Sequence, residues 1–294
     1  MTRFFILIAT ILISFSSFGQ DTISRRLVKK FIPLNAYERF IGKTTDTTEF
    51  MFRDGDTLVS VPLDFDPLKG KNMVKVEYEP KDSVFLNIYK EVVYNPDNSN
   101  SSDQRMHLWK DDINIYFDEG VPEDHANELM KFAAKISKDI DSLNISRKYD
   151  EEKANYVVYY LNEKHSTEYE PKMRYQENGY YIGWNGKQQI YKGHLKINTE
   201  FVRAEFEQKQ LLKSNFFKSL GHFKTSDLLI CGSYLSKCPG AKKLSPKDLE
   251  ILSYHYSYGV CKGVDLKTFT EQTNRMNKKL EEEPDAKLYI AHHE

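Results

Sequence analysis

The sequence predicts an α+β protein, with helices laid on a mixed sheet and a small β-rich module ahead of it. Two segments, INIYF at 113–117 and ANYVVYYL at 154–161, are dense in the β-branched and aromatic residues that suit buried strands. Ala126, Leu129, Met130, Ala133, Ile136, Ile140 and Leu143 recur at the spacing of an amphipathic helix. Residues 95–104, NPDNSNSSDQ, are polar with no apolar anchor and read as a linker. Over 294 residues, 40% hydrophobic and 29% charged content describes an ordinary globular chain with room for two modest domains. A net charge of −1 leaves no electrostatic footprint for nucleic acid or anionic lipid.

Residues 1–19 read as a secretory signal: Arg3 is the positive end, FFILIATILISF is the apolar run, and Ser17 and Gly19 stand at the −3 and −1 positions of a cleavage site. The apolar run is too short to span a bilayer comfortably. The expected mature chain begins near Gln20 and is secreted or periplasmic, with no membrane attachment after cleavage. Export places Cys231, Cys238 and Cys261 in an oxidising setting. An odd count allows one bridge, and the short Cys231–Cys238 loop is preferred over a bond to Cys261. The spacing of the three matches no zinc finger or knuckle.

Residues 20–104 form the expected N-terminal module and linker. A short helix around Asn35–Phe40 ends at Gly42, and DTLVSVPLDF, MVKVEYEP and SVFLNIYKEVVY alternate as half-buried strands do. Residues 105–264 form the main domain. There the strand at 113–117 leads to a helix opened by Pro122, Glu123 and Asp124, then to the strand at 154–161. A Tyr-rich passage turns at Gly183, Gly186 and Gly193, and a strand follows at 194–201. Residues 205–223 make one helix closed by Gly221, residues 228–239 a cysteine-bearing loop, and LSPKDLEILSYHYSYG a last helix with Ser245 as N-cap, Pro246 at N1 and Asp248 at N3. Residues 265–294 read as a helical, charged extension whose tail carries His292 and His293.

Three motifs in order narrow the reading: SLGHF ending the long helix, Gly232-Ser233-Tyr234-Leu235 in the loop, and LSPKD opening the last helix that closes in Tyr-Gly. In these, residues 108–263 resemble the matrixin-like branch of the zincin metallopeptidases. In that family a helix bearing H-E-x-x-H-x-x-G precedes a tight methionine turn and a final helix of the Leu-Ser-x-x-Asp pattern. The resemblance places Gly221 at the motif's glycine, Ser214 and Lys218 at its two histidines, Asn215 at its glutamate, Lys224 at a third ligand and Leu235 at the methionine.

The family's chemistry needs two imidazoles at i and i+4 on one helix face, with the glutamate acting on zinc-bound water. Neutral Ser214 is a poor ligand, Asn215 takes no proton, and Lys218 puts an ammonium where a cation must sit. The expectation is therefore a catalytically inactive zincin-like protein without a cofactor, zinc being the alternative. Replacement ligands would come from His222, His255 and Asp227. Ser214 and Lys218 share a helix face as a Ser-Lys pair would, but exposed helix polarity accounts for that spacing. No nucleophile elbow, phosphate loop or dinucleotide fingerprint occurs. Family members bind substrate as an added strand, which needs no metal. Here Tyr180, Tyr181, Trp184, Tyr191 and His194 are the expected contacts for an extended peptide or protein partner. The rival readings are an active zinc peptidase with non-standard ligands and a structural envelope or secreted component.

Overall fold

The computed structural model describes residues 29–293 apart from 45, 54, 67–72 and 97–103. The proposed signal segment and most of the proposed linker lie outside these residues. The chain divides into two compact units, Met1–Asn72 and Met73–Glu294.

In the first unit, β1 (Lys30–Pro33), β3 (Asp56–Val61) and β2 (Phe50–Arg53) form an antiparallel sheet in the order β1-β3-β2. Helix α1 (Leu34–Ile41) continues directly from β1 and ends at Gly42, whose φ of 108° is left to glycine. Val59 and Val61 face inward from β3, as the period-2 alternation predicts.

The second unit is built on a six-stranded sheet among the described residues. β5 (Leu108–Trp109), β10 (Gln189–Asn198), β8 (Tyr156–Leu161), β6 (Ile113–Phe117) and β7 (Ile145–Lys148) run parallel in that order. β9 (Gly179–Trp184) adds antiparallel to the other side of β10, with a bulge between Ile190 and Lys192. β8 is buried on both faces, which is why it reads as a continuous apolar run. Gly193 lets two rings close over the sheet: a Cβ there would lie 2.4 Å from the Tyr156 ring and 3.2 Å from Trp109.

Among the described residues, five α-helices and a second small sheet complete this unit. α3 (Glu123–Ser137) and α4 (Glu205–Ser219) pack against each other, and α4 lies against β9 and β10. α5 (Pro246–Tyr256) starts at a complete capping box between Ser245 and Asp248. α6 (Leu266–Glu282) is capped by Asp265 and buries Phe269 against Tyr89 and Tyr94. β4 (Met73–Glu77) pairs antiparallel with β11 (Tyr289–His293).

Several expectations need correction. The alternation in SVFLNIYKEVVY does not make a strand; Ser83–Tyr94 is helix α2, capped by the Asp82 carboxylate on the Phe85 N–H at 2.7 Å. Phe85, Ile88, Tyr89 and Val92 recur at i, i+3, i+4 and i+7, and their burial in the second unit's core selects the 3.6 period. Ile140 and Leu143 are buried, but in turns beyond the end of α3 at Ser137. Gly183 and Gly193 lie inside strands, and the hairpin turns instead at Asn185–Gln188, with Gln188 at φ 63°. The tail carrying His292 and His293 is strand β11, paired with β4. β7 had no clear sequence signal, since ISRK is only half-buried.

Candidate functional site

α4 carries the positions where the resemblance would place zinc ligands, and its surface there is polar but poorly solvated. Ser214 is 5% exposed and Asn215 9%. At about 100° per residue, Ser214, Lys218 and Asn215 fan across one side of the helix, with Lys218 between the other two. The Ser214 hydroxyl donates back to the Leu211 carbonyl at 3.3 Å. Desolvation, and then the nearby Lys242 ammonium, hold Lys218 below the usual lysine range. A groove of about 340 Å³ runs along this side, lined by Glu207, Gln210, Leu211 and Ser214 of α4 and by Ala241 and Lys242 of the loop opposite.

The helix ends in a reversal that fixes the next three residues. The Phe223 N–H returns to the Lys218 carbonyl at 2.9 Å, the long bond of a Schellman closure. His222 takes the left-handed position at φ 55°, a place usually given to glycine. Gly221 is required for a different reason: a Cβ there would lie 2.5 Å from the Phe223 ring and 2.8 Å from His255 Nε2. The turned-in His222 ring lies 5.5 Å from Trp184, 5.6 Å from His107 and 6.2 Å from Tyr180, centroid to centroid. Its Nε2 is 2.7 Å from Lys224 Nζ. The ammonium donates and the imidazole accepts, so the lone pair a metal would use is already engaged. Burial first, and then the Lys224 charge, push His222 down to about 3.

Four aromatic residues lock the end of α4 to the sheet and to α5. Trp109 Nε1 donates to the Ser219 carbonyl at 3.2 Å, and the Tyr256 hydroxyl to the Leu220 carbonyl at 2.6 Å. Tyr156 and Ser219 hydroxyls meet at 2.9 Å, and Tyr156 packs edge-on against Phe216. These contacts satisfy carbonyls that a helix end leaves open.

The loop between α4 and α5 is organised by one buried carboxylate. Asp248, fully buried, accepts from the Ser233 hydroxyl at 2.6 Å, the Tyr234 N–H at 3.2 Å, the Leu235 N–H at 3.4 Å and the Ser245 N–H at 2.8 Å. It thus holds the turn containing Leu235 while capping α5, and Leu235 is fully buried. Cys231 and Cys238 form a disulfide across the same loop, and Cys261 takes no part in it.

Along the sheet edge, the expected aromatic contacts divide between two faces. Tyr180 and Trp184 point to the α4 side, toward His222. Tyr181 and His194 lie on the opposite face, stacked at 6.3 Å, with Tyr159 stacked on His194 at 6.0 Å. Tyr191 joins this second face at the bulge, its ring lying over Gly183. Desolvation lowers the His194 pKa, and Glu170 lies 3.7 Å from its Nε2.

The residues proposed as replacement ligands do not converge. His255 Nε2 donates to the His107 carbonyl at 2.7 Å and its Nδ1 accepts from the Tyr89 hydroxyl at 3.1 Å, so both ring nitrogens are used. Asp227 is exposed and pairs with Lys237 at 3.1 Å. Among the described residues, ligand-spaced atoms come together at Asp124, His125 and Glu205, all within 4.8 Å of one another. Sequence spacing misses this group because its members begin two helices far apart in the chain. Its carboxylates already hold a cation: Lys209 Nζ lies 2.8 Å from Asp124 and bonds Glu205 as well. His107, for which the sequence suggested no partner, sits against Trp184 at 4.2 Å. His165 pairs with Asp118 at 2.7 Å.

Against known proteins, the chain matches no family model and no curated protein. Among the described residues, no helix is long and apolar enough to cross a membrane.

Proposed function

We propose that this chain is a non-catalytic, zincin-like binding protein that receives an extended peptide as an added strand along β9. The observation that carries the reading is the position of β9. It is an antiparallel strand at the end of an otherwise parallel sheet, packed against α4, and no described strand pairs with its second edge. An open strand edge binds extended chains through backbone hydrogen bonds, without metal. Support for the zincin-like part comes from α4 and α5 meeting at Gly221 and His255, and from a buried turn at Leu235 pinned by Asp248. Support for inactivity comes from donors rather than metal ligands on the α4 face, and from Lys224 on the His222 lone pair. Export of the chain is part of the same proposal and rests on the signal-like N-terminus.

The test is amide hydrogen exchange of the metal-free chain with and without excess alternating Thr/Val peptide, read at Gly179–Trp184. Added protection confined to β9 is the expected result. Protection that appears only with zinc, or cleavage of the peptide, would establish the peptidase instead. Unchanged exchange along β9 at saturating peptide would exclude strand addition.

A further inference from the structure

We infer that the α4 face at Asn215 and Lys218 is an anion-binding subsite, and that it takes a carboxylate of the bound peptide. This rests on the strand-binding reading and goes one step beyond it, to the chemistry of the partner. Asn215 is nine-tenths buried as a residue, and its side-chain amide makes no hydrogen bond to any described residue. The Lys218 ammonium, half-buried one turn beyond Ser214, likewise makes no hydrogen bond or ion pair with them. Buried polar groups of native proteins are ordinarily partnered, and a desolvated ammonium without an anion is costly.

The surroundings add positive charge. Lys242 raises the potential at Lys218, while its own Nζ is committed to the carbonyls of Ser236 (2.9 Å) and Cys238. The acidic residue lining the groove, Glu207, lies three turns back along α4, about 16 Å from Lys218. Asn215 and Lys218 stand at i and i+3, so their side chains are neighbours and can donate together to one group. The site therefore offers an amide N–H and an ammonium to an acceptor-only ligand of negative charge. A carboxylate has that character, and the charge-assisted bonds it forms are the strong kind. In the bound peptide it comes from an acidic side chain or from the C-terminus.

Two measurements on the intact chain test this. In the first, sodium acetate is titrated into isotope-labelled protein at constant ionic strength, with chloride as control, while the Asn215 side-chain amide is followed by NMR. A saturable shift with acetate, absent with chloride and lost in Lys218→Gln, is expected. No shift, or the same shift in the variant, overturns the subsite. The remaining amide spectrum reports whether the variant keeps its fold. In the second, three fluorescent peptides of one alternating Thr/Val sequence are compared. One carries a central Glu and an amidated end, one a central Gln and an amidated end, and one a central Gln and a free C-terminus. Binding about tenfold tighter for either acidic peptide, lost in Lys218→Gln, is expected and identifies the source of the carboxylate. Equal binding of all three overturns the subsite and leaves strand addition standing. Acetate binding without binding of any peptide overturns strand addition, and with it the peptide carboxylate, and leaves only the anion subsite standing.

Discussion

His255 Nε2 donates to the carbonyl oxygen of His107 across 2.7 Å, and this bond fixes the tautomer of a fully buried imidazole. Its Nδ1 must then accept from the Tyr89 hydroxyl, so the ring is neutral and bridges α5, α2 and the approach to β5.

That arrangement predicts acid sensitivity. Burial holds His255 at about 3 in the folded chain, well below its unfolded value of about 6.5. Below the unfolded value, the unfolded chain takes up a proton that the folded chain does not. Stability is therefore complete above about 6.5 and is lost as pH falls through the window toward 3. At pH 5 the loss from this one histidine is about 2 kcal/mol. His222, also held at about 3, acts in the same direction. Urea midpoints at pH 7 and pH 5 measure the effect, and His255→Gln should flatten the slope; an equal slope in that variant would sink the assignment.

Asp248 should be the most damaging single loss in the loop. Asp248→Ala leaves the hydroxyl of Ser233 and three backbone N–H groups without their acceptor, and should cost about 3–5 kcal/mol. Denaturant melts give the cost, and exchange at Tyr234 and Leu235 shows whether the turn opens. Exchange there unchanged from the natural chain would contradict the organising role of the carboxylate.

Lys218→Met should stabilise the chain by about 1 kcal/mol, because it replaces a desolvated, unpaired ammonium with an apolar side chain of similar length. A lower melting temperature in the variant would mean that Lys218 has a stabilising anion in the free protein.

The Cys231–Cys238 bridge closes a short loop, with a sequence separation of 7. Restricting the unfolded chain in this way contributes about 2.5 kcal/mol. Paired replacement by serine should lower stability by that order while leaving the α5 capping box intact. Far-UV dichroism separates the two effects, since loss of helix would place the bridge in the fold rather than in the unfolded-state entropy.

Restoring the ligands tests the scaffold. With Ser214→His, Asn215→Glu, Lys218→His and Lys224→His, two imidazoles at i and i+4 face a glutamate on the same helix. If the cleft has zincin geometry, this variant should hold about one zinc more per chain than the natural sequence. Elemental analysis of both proteins in parallel makes the comparison, and equal metal content would count against the zincin-like reading.

Local signals carried much of the second unit. The strands at 113–117 and 156–161, the helix from Glu205 and the capping box at Ser245 follow from β-propensity, apolar period and capping chemistry. The Val and Tyr residues of α2 suit strands, and only its burial among Tyr254 and Phe269 shows that the helical period is used. The sequence does not sort Tyr180, Tyr181, Trp184 and Tyr191 between the two faces of the sheet, because the bulge at Ile190–Lys192 and the pleat decide them.

The sequence by itself determined the kinds of residue on α4: Ser214, Asn215 and Lys218, which are donors rather than zinc ligands. Only the tertiary structure decided that Asn215 is largely buried and Lys218 half-buried without a partner among the described residues, that Lys224 engages His222, and that Asp248 holds the turn at Leu235. The physical reason is range. Propensity and capping act within a few residues, whereas desolvation and hydrogen-bond satisfaction depend on segments far apart in the chain that folding brings together.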